Sequence, residues 1–263
     1  MVFVCVFLAL FMNQKLQKKD KIILFDLGVD NLSMDETLVM IEQAIINNQS
    51  ITLTDVNAGK IVQLKEDNNL SRYIKNSDII QADGQAVVWA SKIIGKPLKE
   101  RVAGIDLVDN LIELSHLNNF KIFFFGAKEE IVKAVVDKYS KKYSPEIIAG
   151  YRNGYFNENE SSIIAKQIVN SGAHILFVAI TSPIQEHFLY HNKDILKHVN
   201  FKMGVGGSFD VFAGKTKRAP LWMQKIGMEW FYRFLQEPKR MWKRYLIGNT
   251  KFLFLVLKEK FRK

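Results

Sequence analysis

Polar side chains stand at the ends of several predicted strands of this sequence. They are Asp55 and Asn57 after one strand, Asp83 after the next, and the segment from Ser182 to Glu186 after a later one. In an open α/β sheet the carboxyl ends of parallel strands meet at one edge, and ligands bind there. We therefore expect these side chains to meet in one site, despite their separation along the chain.

Asp83 is the candidate general base of that site. It follows the largely apolar run DIIQA, so we expect desolvation to raise its pKa toward a value that suits proton abstraction. Aspartate before glycine is also a common cap of a following helix, and spacing alone favours this second interpretation. Asn57 has the same two interpretations, as a helix cap or as a group that binds a ligand.

Gln185 and Glu186 fall in the first turn of a helix that is predicted to start at Pro183. In that position they complement the helix dipole, or Gln185 hydrogen-bonds the edge of a base or a sugar. Arg101 lies in a loop that contains a glycine. It is either a phosphate clamp or a solvated surface charge.

The stretch GVGGSFDVFAGKTKRAP, from Gly204 to Pro220, joins bare backbone to a basic cluster. Its first glycines, Gly204, Gly206 and Gly207, would let a diphosphate approach the main chain, although glycine-rich strand exits are common. Cations follow between Lys215 and Arg218. Together the two halves predict a site for an anionic ligand.

His187 and His191 are four residues apart and share one face of a predicted helix. This spacing gives half of a zinc site, but the sequence has no HExxH and no evident third ligand, so a structural role is the better interpretation. No metal and no cofactor are expected. The sequence has no DxD pair, P-loop, GxGxxG or GxSxG motif, and the single Cys5 argues against nucleophilic hydrolase chemistry.

Strand-length apolar runs alternate with amphipathic helical patterns between residues 21 and 213. Ser33 and Glu36 match a capping box, which predicts a helix to about Asn48. The predicted strands are 21–27, 51–57, 77–83, 121–127, 147–148, 174–180 and 201–207. This alternation predicts an α/β fold with a Rossmann-like, mostly parallel sheet and helices on both faces.

Positive charge is concentrated in the C-terminal part of the chain. The net charge is +10, and residues 215–263 hold 14 Lys/Arg against 3 Asp/Glu. Aromatic residues and leucines alternate with these cations in predicted helices, two of which are separated by Pro238, a composition typical of membrane interfaces. We predict an apolar N-terminal extension (1–20), an α/β catalytic domain (21–213) and a basic, aromatic, helical appendage (214–263) that docks on a membrane.

The N-terminal run MVFVCVFLALFM is apolar but short, because a bilayer span needs about 20 residues. Cations follow this run, whereas a signal peptide has them in front. We interpret it as a start-site extension or a short surface-seeking segment. A single cysteine excludes an internal disulfide bond and fits a reducing compartment.

Four blocks of sequence, in matching order and spacing, resemble the WecG/TagA/CpsF family of bacterial glycosyltransferases over about residues 21–246. They are ADGQAVVWASKIIGKPLKERVAGIDL, then GYF, then SPIQE, then MGVGGSFDVFAGKTKRAPLWMQKIGMEWFYRFLQEPKRMWKRY. The resemblance implies inverting transfer of N-acetylmannosamine or a related hexose derivative from a UDP-sugar to a polyprenyl-diphosphate-linked saccharide. It also implies work on the cytoplasmic, inner face of the plasma membrane, in teichoic acid, common-antigen or capsule synthesis.

The resemblance implies roles for individual residues as well. Asp83 matches the catalytic base, which takes a proton from the acceptor hydroxyl as that oxygen attacks the anomeric carbon. The matching active-site positions are Asn57, Arg101 and Gln185, and the region Gly206–Gly207 matches the nucleotide-sugar pocket. Arg233, Arg240 and Arg244 match basic residues of the family's C-terminal appendage, and together with Arg218 of the basic cluster they are assigned to the diphosphate or the membrane. Arginine suits a diphosphate because it binds in a bidentate manner, so these side chains would stabilise the leaving UDP without a metal.

Two positions depart from the family pattern. Asp55 stands two residues before the active-site asparagine, where many members have threonine, and this extra carboxylate would change how the acceptor or the donor sugar is held. Ile184 replaces the lysine of the usual SPKQE block and removes one cation near the site.

A rival interpretation is a non-catalytic basic-aromatic module that docks on a membrane or on nucleic acid. Such a module would have the same C-terminal tail but no need for Asp83, Asn57 and Gln185 at one strand edge. Nucleic acid is the less favoured partner, because the aromatic residues are interleaved with Leu and Met in long apolar stripes. The same stripes allow self-association into a homo-oligomer.

Overall fold

A computed structural model of the chain describes residues 20–242 and 247–262, without the side chains of Arg240 and Met241. The predicted N-terminal extension lies outside the described residues except for Asp20.

Within the described residues, six strands form one sheet: β3 (Ile51–Val56), β4 (Ile79–Ala82), β5 (Ile122–Gly126), β6 (Ile148–Arg152), β7 (Ile175–Ala179) and β8 (Phe201–Gly204). Their order in the sheet is β4-β3-β8-β7-β5-β6. All neighbouring strands are parallel, so the predicted parallel α/β sheet is confirmed. β4 is the outermost strand on one side of the sheet, next to β3, and β6 is the outermost strand on the other side, next to β5.

Helices connect these strands. They are α1 (Met34–Ile46), α2 (Ala58–Glu66), α3 (Asn68–Lys75), α4 (Gln85–Ile94), α5 (Gly104–Asn118), α6 (Glu129–Lys142), α7 (Ser161–Asn170), α8 (Ile184–His191), α9 (Lys193–Leu196) and α10 (Ser208–Phe212), with short 3₁₀ turns at Pro145–Ile147 and Glu158–Glu160. The predicted capping box is confirmed, because Ser33 and Glu36 each accept a hydrogen bond from the other's backbone N–H. It fixes where α1 begins.

Apolar side chains fill both faces of the sheet, as expected for strands that are covered by helices on both sides. Phe124 points into a core with α1, α5 and α6, whereas Phe123 and Phe125 point into a core with α7 and α8. Successive residues of a strand face opposite sides. The continuous apolar runs of the sequence therefore correspond to strands that are buried on both faces.

The N-terminal strand prediction is wrong in part. Residues 21–27 do not form one strand of the main sheet but parts of a hairpin, in which β1 (Lys21–Leu24) pairs antiparallel with β2 (Leu27–Asp30). Phe25 and Asp26 form the turn with φ of 56° and 63°. Two successive residues with positive φ give a turn whose twist matches that of the paired strands.

Beyond residue 219, the described part of the chain forms four helices: α11 (Leu221–Lys225), α12 (Glu229–Gln236), α13 (Pro238–Trp242) and α14 (Gly248–Lys260). All regular elements described beyond residue 219 are helical, as predicted, and Pro238 begins α13. α14 packs on α2 and α4, where it buries Phe252 and Val256. The Phe252 ring lies 5.5 Å from that of Phe25, so the C-terminal end of the chain packs on the hairpin and the helices beside it.

Candidate active site

The residues predicted at the strand ends do come together. Val56 and Ala82 are paired in the sheet, so Asn57 and Asp83 leave β3 and β4 side by side. Gly84 makes this approach possible, because a Cβ atom there would lie 3.0 Å from the Asn57 Cβ atom. Gln185 reaches the same edge from α8 and contacts the exit of β8.

Asp83 is half-buried and held by two neighbours. Its Oδ1 atom accepts a hydrogen bond of 2.9 Å from the Gly104 N–H at the start of α5, and its main-chain oxygen accepts one of 2.7 Å from Arg101 Nε. Burial raises the pKa of the Asp83 carboxyl to about 6, and the charge of Asp55 adds to this shift against the opposing effects of Arg101 and the Gly104 N–H. The raised pKa expected from the sequence is thus present.

Asp83 and Asn57 differ in whether they cap a helix. Gly84, not Asp83, is the N-cap of α4, and no side chain caps that helix. Asn57 does cap α2, because its Oδ1 atom accepts a hydrogen bond of 3.1 Å from the Lys60 N–H. The capping alternative is therefore wrong for Asp83 and confirmed for Asn57, whose part in substrate binding stays a prediction.

Lys60 is a site residue that the sequence did not indicate. Its ammonium is buried and lies 2.8 Å from Asp55 Oδ1 and 3.1 Å from Glu186 Oε1. Burial alone would lower the pKa of Lys60, but the two carboxylates outweigh it and raise that pKa. In the sequence Lys60 stands among apolar residues of a helix, which was the one available sign that its side chain is not on the surface.

Gln185 connects Glu186 to residues 204–207 at the end of β8, which we call the glycine-rich exit. Its Nε2 atom donates to Glu186 Oε1 over 3.0 Å, and its Oε1 atom accepts from the Gly206 N–H over 3.1 Å. Gly204 leaves room for it, because a Cβ atom there would lie 2.6 Å from Gln185 Cδ. Gly206 has a φ of 52°, in the region that favours glycine. Packing thus explains the first glycines of this stretch in part.

The C-terminal appendage reaches the strand edge through Glu229, a second residue that the sequence did not indicate. One oxygen of Glu229 lies 2.7 Å from Arg101 Nη2, and the other lies 3.5 Å from Arg218 Nε. Arg218 also makes a two-armed ion pair with Asp106 at 2.6 and 2.7 Å. Arg101 and Arg218, two of the predicted anion-binding arginines, are therefore engaged by carboxylates of the protein.

Arg233 lies at a separate polar cleft beside the glycine-rich exit. Its Nη2 atom would be 3.8 Å from a Cβ atom at Gly207. The lining residues are Gly207, Asp210, Lys215, Thr216, Arg233 and Glu237. The structure thus brings one predicted appendage arginine to a predicted nucleotide-pocket glycine. Arg240 lies in α13 with its side chain undescribed, and Arg244 lies outside the described residues.

His187 and His191 pack together with ring centroids 4.2 Å apart, and both rings contact Tyr73 of α3 edge-on. The hydroxyl of Tyr73 is 3.2 Å from His191 Nε2. These contacts join α3 to α8 and agree with the predicted structural role.

Much of the appendage surface is apolar and exposed. The large apolar residues of the appendage with more than half of their surface exposed are Leu221, Trp222, Ile226, Leu235, Leu253, Phe254, Leu257 and Phe261. Over the described ranges, none of the helices has both the length and the apolar character that crossing a bilayer requires.

The glycosyl transferase WecG/TagA/CpsF family matches residues 22–263. A protein of Bacillus subtilis (strain 168) named N-acetylglucosaminyldiphosphoundecaprenol N-acetyl-beta-D-mannosaminyltransferase is 38% identical over 186 residues, which are 71% of each chain. Proteins with the same name are 35% identical in Bacillus spizizenii, over 70% of each chain, and in Staphylococcus aureus (strain MW2), over 71% of this chain and 72% of the relative.

The family match decides between the two classes of function in favour of the enzyme, since it spans both the strand ends around Asp83 and the basic appendage. The chain belongs to the WecG/TagA/CpsF family of glycosyltransferases.

Proposed function

We propose that this glycosyltransferase moves N-acetylmannosamine from a UDP-sugar to an N-acetylglucosamine that is linked to a polyprenyl diphosphate, with inversion at the anomeric carbon. The names of the relatives from Bacillus and Staphylococcus support the sugar and the acceptor. The product would serve as the linkage unit of a wall teichoic acid or a related surface polysaccharide.

The observation that carries this proposal is the environment of Asp83. A carboxyl with a pKa of about 6 is ionised at neutral pH and still basic enough to accept a proton in the transition state. The acceptor hydroxyl gives its proton to Asp83, and its oxygen forms a bond to the anomeric carbon. The bond from that carbon to the diphosphate oxygen breaks on the opposite side, so UDP leaves and the configuration inverts.

The departing diphosphate needs positive charge. Lys215 and Arg233 line the cleft beside Gly207 and are our candidates for this role. Guanidinium groups stabilise such charge by bidentate hydrogen bonds in fixed directions. Arg101 and Arg218 are the second set of candidates, and a diphosphate that reached them would take the place of the Glu229 carboxylate.

Docking on the cytoplasmic face of the plasma membrane is part of the same proposal. The acceptor lipid resides in the bilayer, and the exposed apolar residues of α11 and α14 lie among cations that would attract anionic headgroups. Immersing this surface would bring the appendage, and Glu229 with it, to the membrane. Self-association through the same residues is the expected behaviour without lipid.

The direct test is UDP release from a panel of UDP-sugars with a short-chain lipid-diphosphate-GlcNAc acceptor, in the wild type and in Asp83→Asn. We expect release with UDP-N-acetylmannosamine and a loss of orders of magnitude in the variant. Release with a different donor would change the substrate and make Asp55 the first residue to examine. No release with any donor, or full activity of Asp83→Asn, would refute the proposal.

A further inference from the structure

Lys60 joins the half-buried carboxylate of Asp55 to the buried carboxylate of Glu186, which comes from a different part of the chain. Its side chain folds back from the first turn of α2, and Nζ donates to both the main-chain oxygen and Oδ1 of Asp55, over 2.9 and 2.8 Å. The same nitrogen lies 3.1 Å from Glu186 Oε1 on α8. All three side chains are at most 18% exposed, so little water is available to replace these contacts.

The charges of this cluster depend on one another. Burial alone would raise the pKa of Glu186, but the Lys60 ammonium and the Gln185 amide outweigh it and lower that pKa. A buried carboxylate keeps its charge only when such partners compensate the loss of hydration. Lys60 therefore keeps Glu186 ionised and holds it at a fixed distance from Asp55.

The cluster lies between Asp83 on one side and the glycine-rich exit on the other. On one side, Asp55 Oδ2 would lie 3.2 Å from a Cβ atom at Gly104, the residue whose N–H binds Asp83. On the other side, Glu186 is linked through Gln185 to the Gly206 N–H. Lys60 thus lies between Asp55, which is close to the residue that binds the proposed base, and Glu186, which is linked to the glycine-rich exit.

We propose that Lys60 is a positioning residue for the transfer reaction. It fixes Asp55 against Glu186 and so sets the position of Asp83 relative to the glycine-rich exit. The inference rests on the function proposed above. It needs no contact between Lys60 and substrate, because the ammonium acts through the two carboxylates. A shift of about 1 Å between reacting groups can cost about 100-fold in rate, so such positioning has a measurable effect.

The test compares the Lys60→Met substitution in two backgrounds, wild type and Asp55→Asn/Glu186→Gln. We measure kcat, KM and the melting temperature with the donor and acceptor described above. If Lys60 acts through its two partners, the substitution lowers kcat by about 100-fold in the wild type. In the neutral background it lowers kcat by less than about 3-fold, because the groups that it positions are already uncharged.

Lys202→Met is the matched control. Lys202 is also a buried lysine, 5% exposed, but it lies beside the start of β3, where it donates to Ser50 Oγ and, over 3.0 Å, to the Val199 oxygen. Its removal is expected to change the melting temperature and leave kcat unchanged. If Lys202→Met loses as much kcat as Lys60→Met, the loss follows from the disturbance of any buried lysine and not from positioning, which would overturn the inference.

Other outcomes are equally decisive. Equal loss of kcat in both backgrounds would mean that Lys60 acts on the substrate directly, which also overturns the inference. If Lys60→Met does not fold, Asp55→Asn/Lys60→Met replaces it and is compared with Asp55→Asn. A loss of about 10-fold or more in kcat supports the inference and equal kcat overturns it. Turnover by the wild type separates these results from a failure of the proposed function, which would show as no turnover with any donor.

Discussion

Glu229 of the C-terminal appendage lies 2.7 Å from Arg101, whose other arm binds the main-chain oxygen of Asp83 over 2.7 Å. The appendage and the proposed catalytic base are thus separated by one side chain. Because Arg101 can bind either the Glu229 carboxylate or another anion, this contact links the position of the appendage to the charge around Asp83.

Substitution of Glu229 by glutamine tests that link. The negative charge of Glu229 helps to raise the Asp83 pKa, whereas Arg101 lowers it. Glu229→Gln removes the first charge and releases the second, so both changes move the acid limb of the kcat/KM profile to lower pH. We also expect kcat to fall about 10- to 100-fold, because Arg101 loses a charge-assisted hydrogen bond that fixes it beside Asp83.

Glu66→Gln serves as its control. Glu66 forms an ion pair with Lys251 of α14, which is another contact between the appendage and the α/β domain but is exposed. Such pairs contribute little, so the profile should stay in place. An unshifted acid limb in Glu229→Gln itself would contradict the proposed link.

Asp83→Asn has opposite effects on activity and on stability. We expect kcat to fall by about 10²- to 10⁴-fold with the loss of the general base. In the wild type, kcat/KM should fall below pH 6 as Asp83 becomes protonated. The folded-state pKa is raised, so the folded protein binds more protons than the unfolded chain between about pH 4 and pH 6, and stability declines as the pH rises through that range.

The variant lacks this penalty. We expect Asp83→Asn to be more stable than the wild type at pH 7, because the asparagine carries no charge to bury. Asp83 is only half-buried, so the gain is limited to about 1–3 kcal/mol. The difference should vanish near pH 4, where the aspartic acid is neutral in both states. Chemical denaturation at pH 4 and pH 7 measures it, and a variant that is less stable at pH 7 would mean that Asp83 is ionised at no cost.

The sequence was sufficient for the parts of the fold that local patterns determine. The apolar run of β5 and the capping box at Ser33 each depend on neighbouring residues, and the parallel sheet follows from the alternation of strands and helices. The convergence of Asn57, Asp83 and Gln185 also follows, since polar residues at the carboxyl ends of parallel strands must share an edge.

Contacts between distant segments were not predictable in the same way. Lys60 resembles an ordinary lysine of an amphipathic helix, and its burial depends on Glu186 of α8. The role of Glu229 depends on where the appendage folds back. The hairpin at Phe25 was missed because neither turn residue is glycine, while the ring of Phe25 is buried against Phe252.

Gly204→Ala should damage the site through packing alone. The added Cβ atom would lie 2.6–2.9 Å from three atoms of the buried Gln185 side chain. Gln185 must then move and give up its hydrogen bond with the Gly206 N–H. We expect a loss of about 1–3 kcal/mol in stability, typical of an overpacked core, together with a lower kcat.

Gly248→Ala is the corresponding control, because no atom of the described residues, apart from its chain neighbours and its own helix backbone, lies within 4 Å of a Cβ atom at that position. Its stability should match or slightly exceed that of the wild type, since alanine is the better helix former. Full activity of Gly204→Ala would show that the position of Gln185 is not critical.

Substitutions of two phenylalanines of α14 distinguish the packing of this helix on the protein from its docking on a membrane. Phe252 is 4% exposed and packs on Phe25, whereas Phe254 is 75% exposed. Phe252→Ala should lower the free energy of unfolding by about 3–5 kcal/mol, as is usual for a buried phenylalanine. Phe254→Ala should change it by less than about 0.5 kcal/mol.

Binding to vesicles that contain phosphatidylglycerol should show a different pattern. If α14 docks on the membrane through its exposed residues, Phe254→Ala weakens binding by about 10-fold, because a side chain of this size is no longer transferred out of water. Phe252 faces the protein, so folded Phe252→Ala, measured well below its melting temperature, should bind vesicles like the wild type. Unchanged vesicle binding by Phe254→Ala, with binding lost in folded Phe252→Ala, would mean that the helix meets the membrane through the face that packs on the protein here, and the appendage would then have to detach in order to dock.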